Sequence, residues 1–179
     1  MIYVGEPHKT PPATFHTPLQ KAVYAALSEL GIPFVRVDTG EAITMEDCAD
    51  INQRLGVQIV KTLFLCNRQQ TDFYLFITRG DKPFSSKAFS HALEVPRVSF
   101  ASEERMQVML GTRVGAATVF SALLDTENRV RVVLDREVLR EAWYGCSDGT
   151  TTGYMKLQTE RLVGDFLPFA KHDPAVIEV

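Results

Sequence analysis

The stretch Val60-Lys61-Thr62-Leu63-Phe64-Leu65 decides the fold of this chain, because it is a short apolar run with a single cation near its start. An apolar run of this length, bounded by turn signals, predicts a buried strand. A lysine is almost never fully buried without a partner. Lys61 therefore either extends its ammonium to the surface along the strand edge or carries the charge into a cleft where it meets an anion.

The flanking segments place this strand in an α/β domain. The segment 73–77, which follows a polar link, predicts a second strand and a hairpin with the first. Further strands are predicted at 34–37, 98–100, 130–134 and 151–157. Helices are predicted from Thr17-Pro18 to Gly31, from Thr44 to Leu55, from Ser85 to Leu93, from Ser102 to Gly111, from Asp135, and from Thr159 to Leu167. The interleaving predicts one α/β domain with a mixed sheet and helices packed around it.

The two ends of the chain and two loops complete this organisation. Residues 1–17 contain several prolines and predict an extended arm that packs on the domain or on a partner. Residues 18–167 form the predicted domain, and residues 168–179 are expected to be a loose tail. Gly115 lies among small residues, which suits a loop whose backbone approaches something closely. The segment 144–149 is predicted to be a second glycine-bearing loop.

Bulk composition excludes several classes of protein. The formal net charge is -3, without the basic excess of proteins that grip long nucleic acids, so any nucleic-acid contact is expected to be small. The three cysteines are widely spaced and odd in number, which predicts neither a disulfide framework nor a zinc site. We find no signal peptide or membrane span in the sequence and expect a cytoplasmic protein.

The residues themselves offer little conventional catalytic machinery. The four histidines are scattered without the short spacing of metal ligands, so no metal is expected. Cys146 in its glycine-rich loop, with His91 as a base, is a possible nucleophilic pair, but a small structural cysteine is the favoured interpretation. The chain has no Walker loop or dinucleotide fingerprint, and no cofactor is expected.

The order and spacing of four motifs resemble a known family. Gly56-Val57, the Lys61 strand, Phe73-Tyr74-Leu75 and Arg79-Gly80-Asp81-Lys82 are similar to the core of the prolyl-tRNA synthetase-associated editing domain. The resemblance continues through Val114-Gly115 to Leu123 and into 132–135, and it covers about residues 18 to 167. Within that family the chain resembles the stand-alone prolyl-tRNA deacylase-like proteins that remove alanine from tRNA for proline.

The resemblance implies an enzyme, a substrate and a set of site residues. The implied reaction is hydrolysis of the ester between a wrong amino acid and the terminal adenosine of tRNA. Lys61 matches the lysine thought to hold a backbone phosphate, and Gly115 matches the loop thought to offer backbone N–H groups to the reacting carbonyl. The remaining residues expected to bind substrate are Thr62, Val37, Phe64, Ala116, Val119, Ser147 and Asp148.

Two departures from the family pattern bear on amino-acid specificity. Val119 stands where the glycine loop commonly ends in proline. Tyr144-Gly145 and Asp148 stand where a His-Pro pair and an Asn are common. The alternative interpretation is a tRNA- or nucleotide-binding module that keeps the pocket without turnover.

Overall fold

The computed structural model describes residues 1–179 and contains eight strands in two sheets. A three-stranded antiparallel sheet has the order β1-β7-β6, and a five-stranded sheet has the order β4-β2-β3-β5-β8. The larger sheet is mixed, since β4, β2 and β3 are antiparallel whereas β5 and β8 join it in parallel. The strands are β1 (Phe34–Asp38), β2 (Lys61–Asn67), β3 (Phe73–Thr78), β4 (Val98–Phe100), β5 (Val130–Asp135), β6 (Trp143–Ser147), β7 (Gly153–Gln158) and β8 (Ala175–Ile177).

Helices pack between and outside the sheets. They are α1 (Pro18–Leu30), α2 (Ala49–Leu55), α3 (Ser86–Leu93), α4 (Glu103–Arg105), α5 (Arg136–Leu139), α6 (Thr159–Arg161) and α7 (Leu167–Phe169). Helix α4 continues as a π-helix over Met106–Leu110, a similar π-helix over Leu162–Phe166 joins α6 to α7, and a 3₁₀-helix spans Val119–Leu123. Thr17 caps α1 by accepting the Gln20 N–H at 3.0 Å, as its position before Pro18 predicts.

Three clusters of buried apolar side chains hold the layers together. The largest, of 28 residues, lies between the two sheets, where α1 and the last helical segment fill the space. A second cluster covers the outer face of the small sheet beneath α2, and a third covers the outer face of the large sheet beneath α3. The predicted α/β class with a mixed sheet is confirmed. The division of the strands into two sheets is an addition that local sequence patterns did not indicate.

Two segments differ from the sequence prediction. The segment 144–149 was expected to be a loop, but Trp143–Ser147 is strand β6, paired with β7, and only the turn after it is irregular. The tail from Pro168 was expected to be loose, but β8 pairs in parallel with β5 and buries Ile177. The causes differ. Strand β8 is short and its partner β5 is distant in sequence. Strand β6 forms a hairpin with the next strand, β7, but Gly145 in its middle hides the strand pattern.

The N-terminal arm packs on the domain itself, which is one of the two alternatives left open by its sequence. It runs beside β1, where the backbones of His8 and Arg36 exchange two hydrogen bonds of 2.8 Å. The Arg36 side chain donates to the Thr10 carbonyl at 2.6 Å and lies mostly buried beneath the arm. The arm therefore extends the edge of the small sheet.

Gly145 joins the two sheets. The Val60 N–H, directly before β2, donates to the Gly145 carbonyl at 2.9 Å in the other sheet. A Cβ added at Gly145 would lie 2.7 Å from Val57 Cγ1 and 3.2 Å from the Gln58 carbonyl oxygen. A glycine inside a strand often marks such a close backbone approach. The junction fixes the start of β2 against the small sheet.

We predict that Gly145→Ala lowers the free energy of unfolding by about 1–3 kcal/mol, because the added methyl group overpacks this junction. Denaturant unfolding of the variant measures the loss. Gly164→Ala is the matched control, since an added Cβ there has no neighbour within 4 Å, and helix propensity favours alanine. Equal stability of the two variants would contradict the prediction, because it would show that the two sheets can move apart at Gly145 without loss of stability.

Candidate active site

A cavity of about 460 Å³ opens beside the first half of β2. Strand β4 pairs only with the second half, from Leu65 to Asn67, so the edge of β2 before Leu65 has no neighbouring strand on that side. The Ala101 N–H donates to the Phe64 carbonyl, so the even-numbered residues of β2 turn their backbone groups toward this edge. The cavity therefore lies where a strand edge is left open, and most of its lining is apolar.

Lys61, the first residue of β2, lines this cavity and is half-buried. Its Nζ donates to the carbonyl oxygen of Lys82 at 2.5 Å and makes no ion pair with any carboxylate of the chain. A backbone carbonyl carries only a partial charge, so the ammonium retains its positive charge and two further donor positions. Of the two alternatives drawn from the sequence, Lys61 fits the one that places it at a cleft, where its partner within the chain is a backbone carbonyl; the anion of that alternative stays a prediction.

The turn that receives Lys61 is held by ion pairs. Arg79 donates to both carboxylate oxygens of Asp81 at 3.0 Å, and Lys82 donates to Asp135 at 2.8 Å and to Glu137 at 3.0 Å. Asp135 is fully buried at the end of β5 and also accepts from the Thr78 hydroxyl at 2.7 Å. These contacts fix the Lys82 carbonyl and, through it, the Lys61 ammonium.

Charge pairing sets the protonation states in this turn. Burial by itself would raise the pKa of Asp135, but hydrogen bonds from Lys82 and Thr78 outweigh it and lower the pKa below the ordinary value. Burial likewise works against the charge of Lys82, yet its carboxylate partners raise its pKa. Both groups are therefore charged at neutral pH.

The Gly115 loop forms the opposite wall of the cavity. Gly115 has φ +90°, and a Cβ there would lie 2.9 Å from Ile43 Cα, so both the conformation and the contact require glycine. The backbone N–H groups of Gly115 and Ala117 donate no hydrogen bond within the chain, although both residues line the cavity. Two unpaired donors beside a cavity can bind a ligand oxygen.

The hydroxyl and thiol groups near the cavity are not activated nucleophiles. Ser147 lines the cavity, but its hydroxyl donates to the Thr150 carbonyl at 2.6 Å and accepts from the Gly149 N–H at 3.0 Å. Burial raises the pKa of Cys48, another lining residue, to about 11. Cys146 is buried outside the cavity, burial raises its pKa as well, and His91 is exposed on α3. The thiols are protonated at neutral pH, so nucleophilic cysteine catalysis has no support.

The structure brings together five of the nine residues that the sequence singled out. Lys61, Gly115, Thr62, Phe64 and Ser147 line the cavity. Val37 and Val119 are fully buried in two different apolar clusters, because each faces the interior of its own layer. Ala116 faces a separate polar cleft beneath the N-terminal arm. These three, expected to bind substrate, do not reach the cavity.

Asp148 was also expected to bind substrate, but it is 1% exposed and lies outside the cavity. One carboxylate oxygen accepts from Gln20 at 3.0 Å and from the Tyr24 hydroxyl at 2.9 Å. The other accepts from the Thr150 hydroxyl at 2.7 Å. Asp148 thus ties α1 to the turn after β6 and has no oxygen left for a ligand.

Sequence reasoning missed the residues that come to the cavity from other segments. Ile43, Met45 and Cys48 arrive from the connection before α2, and Phe100 and Ala101 arrive from β4 and the residue after it. None carries a local motif, since each is brought in by the tertiary fold. The one signal in the sequence that could have indicated the cavity was Phe100, a large aromatic residue on a three-residue edge strand. No three His, Cys, Asp or Glu side chains cluster as a metal site would need.

Comparison with known proteins agrees with this architecture. The family described as aminoacyl-tRNA editing domain matches residues 39–164. Prolyl-tRNA editing protein ProX of Acetoanaerobium sticklandii is 31% identical over 120 residues, 67% of this chain and 73% of the relative. Prolyl-tRNA synthetase associated domain-containing protein 1 of Danio rerio is 28% identical over 161 residues, 89% of this chain and 86% of the relative.

The fold also matches a solved structure, that of a proposed trans-editing enzyme for prolyl-tRNA synthetase. The TM-score is 0.64 at 17% identity, over 92% of this chain and 99% of the other. The family match and the relative at 31% identity together define an aminoacyl-tRNA deacylase, as the resemblance in the sequence implied. The chain belongs to the aminoacyl-tRNA editing domain family. None of its helices is long and apolar enough to cross a membrane.

We predict that Lys82→Met destabilises the protein by about 3–5 kcal/mol at pH 7, because it leaves the buried Asp135 carboxylate without its cationic partner. The depressed pKa of Asp135 contributes stability above the unfolded-state pKa, and that contribution is lost as pH falls through the folded-state value. The difference between wild type and variant should therefore shrink below about pH 4. Denaturant unfolding at several pH values measures it, and a constant difference would contradict the assignment.

Proposed function

We propose that this protein is a trans-editing deacylase that acts in the cytoplasm on mischarged tRNA for proline, with Ala-tRNA(Pro) as its main substrate. The observation that carries the proposal is the pairing, across one cavity, of an ammonium without a carboxylate partner and two backbone N–H groups without acceptors. The relatives named for prolyl-tRNA editing support the choice of tRNA.

In this proposal Lys61 holds a phosphate at the 3′ end of the tRNA. A lysine ammonium is a compact charge with three donors and suits a single phosphate. The fixed Lys82 carbonyl uses one donor and aims the others, so little side-chain freedom is lost on binding. The net charge of -3 is compatible with such a small footprint, since only one strong phosphate contact is invoked.

The Gly115 loop stabilises the reacting group. When water attacks the ester carbonyl, negative charge develops on its oxygen, and backbone N–H groups of Gly115 and Ala117 are suited to receive it. A single donor in such a position accelerates acyl transfer by about 10²–10³-fold in known cases. An aminoacyl ester is already activated, and a ribose hydroxyl of the substrate can assist the water. The reaction then needs no triad from the protein.

The apolar lining of the cavity supports an uncharged aminoacyl group. Thr62 and Phe64 of β2 line the cavity together with Met45 and Ala101 from other segments. We propose that this surface admits alanine and excludes the bulkier proline. The aminoacylation site of a synthetase discriminates poorly against amino acids smaller than its own substrate. A separate editing site that removes the smaller residue corrects these errors.

We expect wild-type protein to release alanine from Ala-tRNA(Pro) and Lys61→Ala to lose at least about a hundredfold in rate, as truncating a buried charged contact does. Release of labelled alanine measures it. Lys87→Ala is the matched control, since Lys87 is exposed on α3 away from the cavity. Binding of the tRNA without release from any mischarged tRNA would instead establish the non-catalytic binding module.

We predict an order of cleavage set by size when tRNA(Pro) carries alanine, serine, cysteine or proline. Alanine should leave fastest and proline slowest, with about 1–3 kcal/mol of discrimination per methylene-sized difference. Initial rates at equal concentrations of the four esters give the order. Faster cleavage of the proline ester than of the alanine ester would contradict exclusion by size.

A further inference from the structure

We propose that Phe100 is the aromatic platform on which the terminal base of the tRNA stacks. This inference rests on the proposed function and adds a base-binding subsite to the cavity. The phosphate contact of Lys61 would then hold one end of the terminal nucleotide, and the Phe100 ring would hold the other.

The exposure of Phe100 is the first observation. The side chain is 62% exposed although it belongs to a strand, and it lines the same cavity as Lys61 and Gly115. The other aromatic side chains with large exposure, Tyr3, Phe15, Trp143 and Phe169, lie outside this cavity. Ligand pockets are lined mainly by apolar and aromatic side chains, and Phe100 is an aromatic ring of such a lining that is exposed to solvent.

The ring is also supported from behind. Its centroid lies 5.6 Å from that of Phe84 at an interplanar angle of 58°. Phe84 in turn contacts Phe76 and Phe89, whose centroids lie 6.1 and 6.3 Å away in the apolar cluster beneath α3. Phe100 is therefore the outermost member of a group of aromatic rings that continues into the apolar cluster beneath α3.

Phe100 and Lys61 share one face of the large sheet. Phe100 pairs directly with Leu65, and side chains alternate along β2, so Lys61, Leu65 and Phe100 project from the same side. Lys61 precedes Leu65 by four residues, or about 13 Å along the strand. The Lys82 carbonyl that receives Lys61 is two residues from Phe84 in sequence. Lys61 and Phe100 therefore project from one side of the sheet and line the same cavity.

The chemistry of a phenyl ring fits a base. Stacking of a nucleic-acid base on an aromatic side chain strengthens binding by roughly five- to a hundredfold, and it tolerates any base because every base has a π face. Phe100 carries no hydrogen-bonding group, so we assign it positioning of the terminal nucleotide and no part in bond cleavage. Its loss should therefore raise KM and leave kcat nearly unchanged.

The experiment uses the full chain and two RNA hairpins that carry the acceptor stem of tRNA(Pro), one ending in CCA and one lacking only the terminal base. Because Trp143 is the single tryptophan, the double variant Phe100→Trp/Trp143→Phe carries its only indole at position 100. We expect the CCA hairpin to quench that fluorescence and the hairpin without the base to bind about tenfold or more weakly. With Ala-tRNA(Pro), Phe100→Leu should raise KM about tenfold or more, and Phe100→Tyr should restore it.

Phe169→Leu is the matched control, since Phe169 is 40% exposed on α7 and lies outside the cavity. Unchanged KM for Phe100→Leu, or equal affinity for the two hairpins, overturns the stacking proposal while leaving the editing function in place. Failure of wild-type protein to bind either hairpin and to release alanine overturns both.

Discussion

The hydrogen bond from the Val60 N–H to the Gly145 carbonyl is the contact on which the rest of the structure depends. It joins the two sheets one residue before β2 begins, and it thereby fixes the position of Lys61, the first residue of β2. Strand β4 pairs with β2 only from Leu65 onward, so the edge beyond the junction remains open. The cavity lies along β2 between this junction and Leu65, where the pairing with β4 begins.

In the proposed mechanism the site works through fixed positions more than through reactive groups. Lys61 is aimed by a carbonyl, and that carbonyl is held by the pairing of Lys82 with the buried Asp135. Gly115 passes too close to Ile43 for any larger residue, and the N–H groups of Gly115 and Ala117 have no acceptor within the chain. Such preorganised dipoles contribute strongly when the bond to be broken is already reactive, as an aminoacyl ester is.

The extent to which sequence reasoning succeeded follows from the range of the interactions. The β2–β3 hairpin and the Thr17 cap were predicted because their signals are local. Gly145 was interpreted as a loop residue, although a glycine in a strand can also mark a close approach, and here the approaching segment is more than eighty residues away in sequence. Within the site, Lys61 and Gly115 were singled out by local patterns, and their roles were implied by the resemblance. Phe100 and Asp135, the partner of Lys82, come to the site through tertiary contacts that no local pattern predicts.

The central claim is that Lys61 holds one phosphate at the end of the tRNA. The most direct measurement is a cycle of binding affinities for the CCA-ended hairpin, in which the phosphate before the terminal nucleotide is either natural or replaced by a neutral methylphosphonate, with wild type and with Lys61→Ala. The account predicts that the replacement weakens binding by wild type about tenfold and leaves binding by Lys61→Ala unchanged. Equal losses for both proteins would show that Lys61 does not contact that phosphate and would contradict the account.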